Sequence, residues 1–347
     1  MHSQLITHLN FAKGFRGGER QTLLLIKALS TNGYLQKLFV RKNSELGKRA
    51  KEVKNLTIIE ITKPYIFNLS LIKESSLLHA HETKGAQFAF FAHMFYKIPY
   101  IITRRVDNPI KNNFFTKQMY LKAFTTVALS YAIEKEIHKI DTAIKTTIIP
   151  SSYSALKVNQ NAVTQIQQRF NKKILVGNIG ELDNSHKGQY YLIEAAKTLE
   201  KKYPDLHFIF LGKGKDLQNY LIQAEGMSNI TFEGFVNNVG DYIASLDFFV
   251  FPSLNEGLGS ILLDVIQANI PIIASNIGGI PDIIKDMQTG ILVETKNSEK
   301  IAEAIELLMQ DQTLANKLAT NAKKTIENFS ITAMSQKYIK LYKEIEK

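Results

Sequence analysis

Residues 251–281 read FPSLNEGLGSILLDVIQANIPIIASNIGGIP, and this stretch limits the possible folds most narrowly. The apolar run Phe248 to Phe251 suits a strand buried on both faces, and Pro252 and Ser253 break it. A glycine-containing loop carrying Glu256 follows, then a helix opening near Gly259 and Ser260, then a second apolar strand from Pro271. Strand, glycine loop, helix and strand make a βαβ unit. Its loop lies at the carboxyl end of the first strand, where open parallel sheets bind ligands.

The loop's chemistry follows from its residues. Across Gly257, Leu258, Gly259 and Ser260 the two glycines let backbone amides approach a ligand, and the new helix points its positive end at the same place. Both features favour phosphate. Glu256 precedes the helix and Asp264 lies two turns inside it, a span of roughly 12 Å. That is too far for a shared metal or one acid/base pair. It suits two ends of an elongated ligand such as a nucleotide-sugar. The plainer alternative is that Glu256 only favours the helix N-terminus and Asp264 faces water.

Strand patterns recur along the chain. In the first half they are Gln4–Asn10, Leu35–Val40, Leu56–Glu60, Leu77–Ala80, Tyr100–Thr103, Thr125–Leu129 and Thr146–Ile149, with helical periodicity between most of them. After the polar stretch 151–171, Lys173–Ile179, His207–Leu211, Ile230–Phe232 and Gly290–Val293 continue the series. This alternation predicts an α/β architecture of two doubly wound halves, and 347 residues suffice for both. Gly17 and Gly18 open the first helix, without a G-x-G-x-x-G fingerprint.

Composition excludes several classes. No apolar run approaches the ~20 residues of a membrane span, and MHSQLITHLN reads as a strand rather than a signal peptide. The absence of cysteine removes disulfides and thiolate metal sites and fits a cytoplasmic enzyme. Charge is uneven: residues 1–150 hold 23 Lys and Arg against 10 Asp and Glu (+13), and residues 151–347 hold 20 against 22 (−2). A basic first half points to an anionic partner for that half. Lysines interleave with aromatics in KNNFFTKQMYLKAF (111–124), which fits either an amphipathic helix on an anionic membrane surface or a core-packed helix with a wet lysine face.

PSLNEGLGSILLD followed by GGIPD resembles the signature of the retaining glycosyltransferases of family 4, E-x7-E with a downstream GG-x-PE. The resemblance implies that Glu256 contacts the donor sugar. It also implies that Asp264, one methylene shorter than the family's second glutamate, contacts the ribose. Lys187-Gly188 in GELDNSHKG is similar to the family's K-G, in which lysine neutralises the leaving diphosphate. Glu181 stands where many relatives carry arginine, so further positive charge is expected from Arg20, Arg105 or backbone amides. The string Gly17, Gly18, Glu19, Arg20 resembles the first loop, whose glycines border the donor phosphates and the acceptor. Gly212 and Gly214 in LGKG would let backbone approach the nucleotide, and Phe235 would line the base. HAHE (79–82) resembles the family's H-x-H, with His81 facing the cleft among the catalytic residues. A structural histidine is the alternative, above all for His79. TRRVDNP supplies Arg104, Arg105 and Asp107 for the acceptor. Some members have a histidine near Arg105, and a guanidinium better suits a phosphate or carboxylate.

The fold so implied is the two-Rossmann glycosyltransferase B type. Residues 1–165 would bind the acceptor, 172–328 the nucleotide-sugar, and a helix in 329–347 would cross back. The expected reaction is retaining glycosyl transfer from a nucleotide-diphosphate sugar to a saccharide or lipid-linked acceptor, in lipopolysaccharide, capsule or other envelope glycan synthesis. No cofactor and no metal are expected, there being no D-x-D or histidine cluster in the sequence at the diphosphate. The chain would be cytoplasmic, with its basic half on the inner membrane face. A nucleic-acid-binding protein explains the charge but neither Glu256 nor the glycine loops. A sugar-nucleotide epimerase of the same fold and a non-catalytic nucleotide-sugar binder remain as alternatives.

Overall fold

A computed structural model describes residues 4–345. The chain divides into two compact units, Met1–Ser152 with Asn328–Lys347, and Tyr153–Glu327. Residues 1–3 and 346–347 of the expected domain bounds lie outside the described residues.

The first unit is built on seven parallel strands: β1 (Leu5–Asn10), β2 (Leu35–Arg41), β3 (Leu56–Ile61), β4 (Leu77–Ala80), β5 (Tyr100–Arg104), β6 (Thr125–Ala128) and β7 (Thr146–Ile148). Their spatial order is β3-β2-β1-β4-β5-β6-β7. The order reverses between β1 and β4, so this sheet's switch point lies where those two strands end. All four residues of β4 and of β6 are buried, as strands covered on both faces require.

The second unit has six parallel strands: β8 (Ile174–Ile179), β9 (Leu206–Leu211), β10 (Ile230–Gly234), β11 (Phe248–Phe251), β12 (Ile272–Ser275) and β13 (Ile291–Val293). Their order is β10-β9-β8-β11-β12-β13, with the reversal between β8 and β11. One continuous core joins Phe208, Phe210, Phe248 and Val250 of the sheet to Leu192, Ile193, Ile305 and Leu308 of its covering helices.

The boundary between the units differs from the sequence expectation. Residues 153–165, assigned there to the first domain, pack with the second. The helix Gln160–Arg169 buries Val163 and Ile166, and the Asn159 amide donates to Asp241 Oδ1 at 2.7 Å. A Cβ on Gly240 would lie 2.3 Å from the Lys157 carbonyl, so the segment is fitted closely to this unit. Polar composition disguised it as a linker, because a helix anchored by two apolar side chains has almost no hydrophobic stripe.

The last helix, Ile331–Ile345, belongs to the first unit. Its Met334, Tyr338, Leu341 and Tyr342 share a core with Leu25 and Leu29 of the helix Gly17–Thr31 and with Ile6 of β1. The aromatic stretch 111–124 forms a shorter helix than expected, Phe114–Leu121, capped by Asn113, whose side chain accepts the Thr116 amide at 2.8 Å. Met119 and Tyr120 are buried, and Lys117 pairs with Asp141 at 2.7 Å.

Candidate active site

In the second unit the chemistry-bearing residues collect where β8 and β11 end. The chain leaves β8 through Gly180 and Glu181 into a short helical turn, Asn184–Lys187, which stops at Gly188 with φ +62°. A Cβ on Gly188 would sit 2.2 Å from the Pro252 carbonyl, so only glycine lets this loop meet the one after β11. Two backbone hydrogen bonds complete the junction. The amides of Leu254 (2.8 Å) and Asn255 (3.2 Å) both donate to the His186 carbonyl.

This junction brings Lys187 and Glu256 together. Lys187 Nζ donates to Glu256 Oε2 at 2.5 Å, with the two side chains 26% and 16% exposed. The ammonium also lies 5.5 Å from the centre of the Phe251 ring. The Glu256 backbone is held in turn, its carbonyl accepting the Gly279 amide of the GGIPD segment at 2.9 Å. Gly259, at φ +82°, turns the chain into the helix Ser260–Gln267, whose first amides face the loop. Gly257, Leu258 and Gly259 are buried and Ser260 is partly exposed. Behind the loop, Ser253 Oγ and Asn178 Oδ1 are buried without hydrogen-bond partners.

Other donor-side residues fall in different surroundings. Asp264 is 7% exposed, and its Oδ1 accepts the Ser154 amide at 2.5 Å. It does not face water, and it ties the first residues of the second unit to the helix Ser260–Gln267. Gly212 and Gly214 sit close against the loop that follows β8. A Cβ on Gly212, at φ +145°, would lie 1.8 Å from the Gly180 carbonyl, and one on Gly214 would lie 2.1 Å from the Leu182 carbonyl. These glycines let the loops after β8 and β9 pack on each other. Phe235, just past β10, is 67% exposed, an unshielded aromatic face at the sheet's carboxyl edge. Glu181 is exposed, and its carbonyl accepts from Gln189 Nε2 at 3.0 Å.

In the first unit the expected residues gather at the ends of β1, β4 and β5. His81 does not face solvent: it is 4% exposed, and its Nε2 lies 3.0 Å from His8 Nδ1. The reason is the register, which sets His8 of β1 opposite His79 of β4 and places His81 two residues further on the same side. His8 Nε2 contacts Gln36 Oε1 at 3.0 Å. His79 uses both nitrogens, with Tyr342 OH and Thr103 Oγ1 each at 2.7 Å, and Thr103 continues to Tyr338 OH at 3.0 Å. Burial lowers His8 to about 4 and holds His79 and His81 well below 6.5, with His8 and Arg105 adding to the effect on both and His79 adding to that on His81, so the cluster is neutral. One nitrogen from each ring lies within 4.8 Å of the others, a spacing that could hold a metal. Five of the six nitrogens already make hydrogen bonds, and only His81 Nδ1 lacks a partner.

Sequence reasoning missed His8, Thr103, Tyr338 and Tyr342. The available signal was a polar side chain within an otherwise apolar strand, LITHLN, which demands a buried partner. Glu82 of HAHE serves the fold. It caps the helix Thr83–Tyr96, accepting the Lys84 amide at 2.7 Å and the Gly85 amide at 2.6 Å. Above the histidines, Gly17 and Gly18 open the first helix, and Glu19 Oε2 accepts the Arg16 amide at 2.9 Å. Arg20 is exposed, Arg104 donates to the Asn108 carbonyl, and Asp107 is partly buried. A Cβ on Gly18 would touch Arg105 Cδ at 3.3 Å, so the Arg105 side chain lies along the first turn of that helix.

Residues 159–325, nearly all of the second unit, match the family described as glycosyl transferases group 1. The family match covers just under half of the chain. Among curated relatives, the putative glycosyltransferase EpsD of Bacillus subtilis is 35% identical over 150 residues, covering 42% of this chain and 39% of EpsD. The capsular polysaccharide biosynthesis glycosyltransferase CapM of Staphylococcus aureus is 25% identical over 175 residues, covering 49% of this chain and 46% of CapM. Each match thus takes in less than half of the relative. Among solved structures, Anabaena HepE in complex with UDP-glucose superposes with a TM-score of 0.87 at 16% identity, covering 98% of this chain and 99% of HepE. At that identity the likeness establishes the fold, which is the two-Rossmann glycosyltransferase B type. The group 1 region carries Lys187, Glu256 and every glycine loop of the second unit.

Proposed function

We propose that this protein is a retaining glycosyltransferase that moves a sugar from a nucleotide-diphosphate sugar to a saccharide or lipid-linked acceptor in the synthesis of an envelope glycan. The observation that carries this reading is the Lys187–Glu256 pair, a cation and a carboxylate 2.5 Å apart at the switch point of the group 1 region. In this reading the donor diphosphate takes over Lys187 Nζ, and the freed Glu256 carboxylate accepts hydrogen bonds from donor-sugar hydroxyls. Lys187 and the amides opening the helix Ser260–Gln267 stabilise charge developing on the leaving diphosphate, without a bound metal or other cofactor. Phe235 stacks on the base.

Asp264 acts by positioning, through Ser154, and His81 as part of the neutral floor beneath the acceptor residues Glu19, Arg20, Arg104, Arg105 and Asp107. UDP in the HepE complex and the capsular role in CapM's name agree with this donor class and pathway type. The basic first unit and its exposed aromatics add peripheral contact with an anionic membrane surface.

A thermal-shift screen with UDP, GDP and ADP tests the donor half. One of the three raises the melting temperature, and Lys187→Ala reduces that shift. Glu256→Ala lowers transfer to a lipid-linked acceptor by about 100-fold or more, in line with the loss of a transition-state contact. Unaltered transfer by Glu256→Ala removes the glutamate from the reaction. Failure of all three nucleotides to stabilise the protein overturns the nucleotide-sugar reading.

A further inference from the structure

The buried histidines of the first unit are joined by hydrogen bonds whose direction fixes where two of them carry their protons. Gln36 of β2 sets that direction. Its side chain is 2% exposed, and its Nε2 donates to the Ile26 carbonyl at 3.0 Å. A backbone carbonyl only accepts, so the amide cannot be turned over, and Oε1 is the atom that faces His8. Oε1 lies 3.0 Å from His8 Nε2. An amide oxygen also only accepts, so His8 Nε2 carries a proton.

Burial keeps His8 neutral by lowering it to about 4, so its Nδ1 has no proton. That nitrogen lies 3.0 Å from His81 Nε2, which must therefore be the donor. His81 is also held neutral by burial, and its one proton is directed at His8. What remains is His81 Nδ1, a lone pair without a hydrogen-bond partner on a side chain that is 4% exposed. His79 stands outside this order, because both its partners, Tyr342 OH and Thr103 Oγ1, are hydroxyls that can donate or accept.

A buried acceptor without a partner is costly, and this one sits where an open parallel sheet takes ligands. His81 follows the last residue of β4, and the strand order reverses between β1 and β4. We propose that Gln36, acting through His8, sets the tautomer of His81 so that Nδ1 accepts a hydrogen bond from a sugar hydroxyl. Gln36 is then a positioning residue, and His81 is the group that touches the ligand. A lone pair repels an ionised phosphate or carboxylate, so this position selects a neutral hydroxyl. That the hydroxyl belongs to a sugar rests on the glycosyl-transfer reading; the tautomer order does not.

Histidine-selective nitrogen-15 labelling with long-range proton–nitrogen correlation reads each tautomer, the signals being assigned by their loss in His8→Gln and His81→Gln. In the wild type both His8 and His81 carry the proton on Nε2. A proton on His81 Nδ1 overturns the proposal without recourse to any variant. Gln36→Leu, checked for folding by circular dichroism, lets both rings populate the other tautomer. Wild-type tautomers in that folded variant overturn the role of Gln36. Glucose or N-acetylglucosamine moves the wild-type His81 Nδ1 resonance toward the hydrogen-bonded position, and inorganic phosphate at the same ionic strength does not. In Gln36→Leu the sugar binds about tenfold more weakly, as expected when one hydrogen bond to a buried group is lost. A response to phosphate, or none to either sugar, overturns the hydroxyl site. So does an Nδ1 resonance already at the hydrogen-bonded position without sugar, which shows a permanently bound water. A sugar response with no stabilisation by any nucleoside diphosphate overturns the transferase reading and leaves the hydroxyl site standing.

Discussion

Gly212 shows how a residue can be conspicuous in sequence for a reason sequence does not disclose. The string LGKG after an apolar strand invites a ligand reading, since glycines there allow close backbone approach. The structure adds a reason within the fold, close approach to the loop after β8: the Gly180 amide donates to the Leu211 carbonyl at 2.9 Å, and the Gly212 α-carbon faces the Gly180 carbonyl. Contact between residues 32 positions apart leaves no local pattern. Lys187 and Glu256 were legible because each sits in a motif of its own, yet their mutual ion pair was not, because it depends on how two loops meet. Gly212→Ala combines a φ of +145° with a Cβ 1.8 Å from a carbonyl oxygen, so the loops must separate. Its expected cost is about 3 kcal/mol or more, the upper range for single substitutions. Urea denaturation checks this; a loss under about 1 kcal/mol would show that the junction yields freely.

At the scale of elements, most strands were readable because buried parallel strands are short apolar runs, and their order follows from right-handed crossovers. Helix faces were harder. The stretch 111–124 reads as a single amphipathic helix, yet only Phe114–Leu121 is helical, and the exposed apolar surface is shared among three elements. Phe67 lies in the 3₁₀ segment Tyr65–Ile72, Phe95 near the end of the helix Thr83–Tyr96, and Phe114 at the start of the next helix; they are 81%, 67% and 80% exposed. The helix Thr83–Tyr96 adjoins both other elements, and its Phe90 and Phe91 pack on Phe115. Exposed Lys63, Lys97, Lys111 and Lys122 lie on or beside the same segments. If this surface meets an anionic membrane, wild type co-sediments with anionic vesicles. Binding then falls steeply as salt shortens the Debye length from about 10 Å at 0.1 M to about 3 Å at 1 M. The double variant Phe95→Ser, Phe114→Ser weakens binding at low salt, whereas equal binding to neutral vesicles would remove the electrostatic basis.

Across the whole molecule, the two units differ in how acid should affect them. The first holds His8, lowered to about 4, together with His79 and His81, both well below 6.5; the second holds His207, lowered to about 4 by desolvation and by Lys173 and Arg169. In each case the folded pKa lies below the unfolded value of 6.5. The unfolded chain therefore binds more protons in the interval between them, and the stability contribution is complete above pH 6.5 and is lost as pH falls toward 4. Each group is worth about 1.4 kcal/mol per pH unit within that interval. Between pH 7.5 and 5.5 three such groups act on the first unit and one on the second. The carboxyls pushed up by burial, Glu82 in the first unit and Asp247 in the second, act in the opposite sense above their ordinary pKa values, and one falls in each. Hydrogen exchange at the two pH values reads the units separately: protection in β1, β4 and β5 should fall several-fold more than protection in β8, β9 and β11. His8→Gln, which removes one titrating ring from the network, should reduce that difference. An equal loss in both units would mean that the three histidines are not held neutral together.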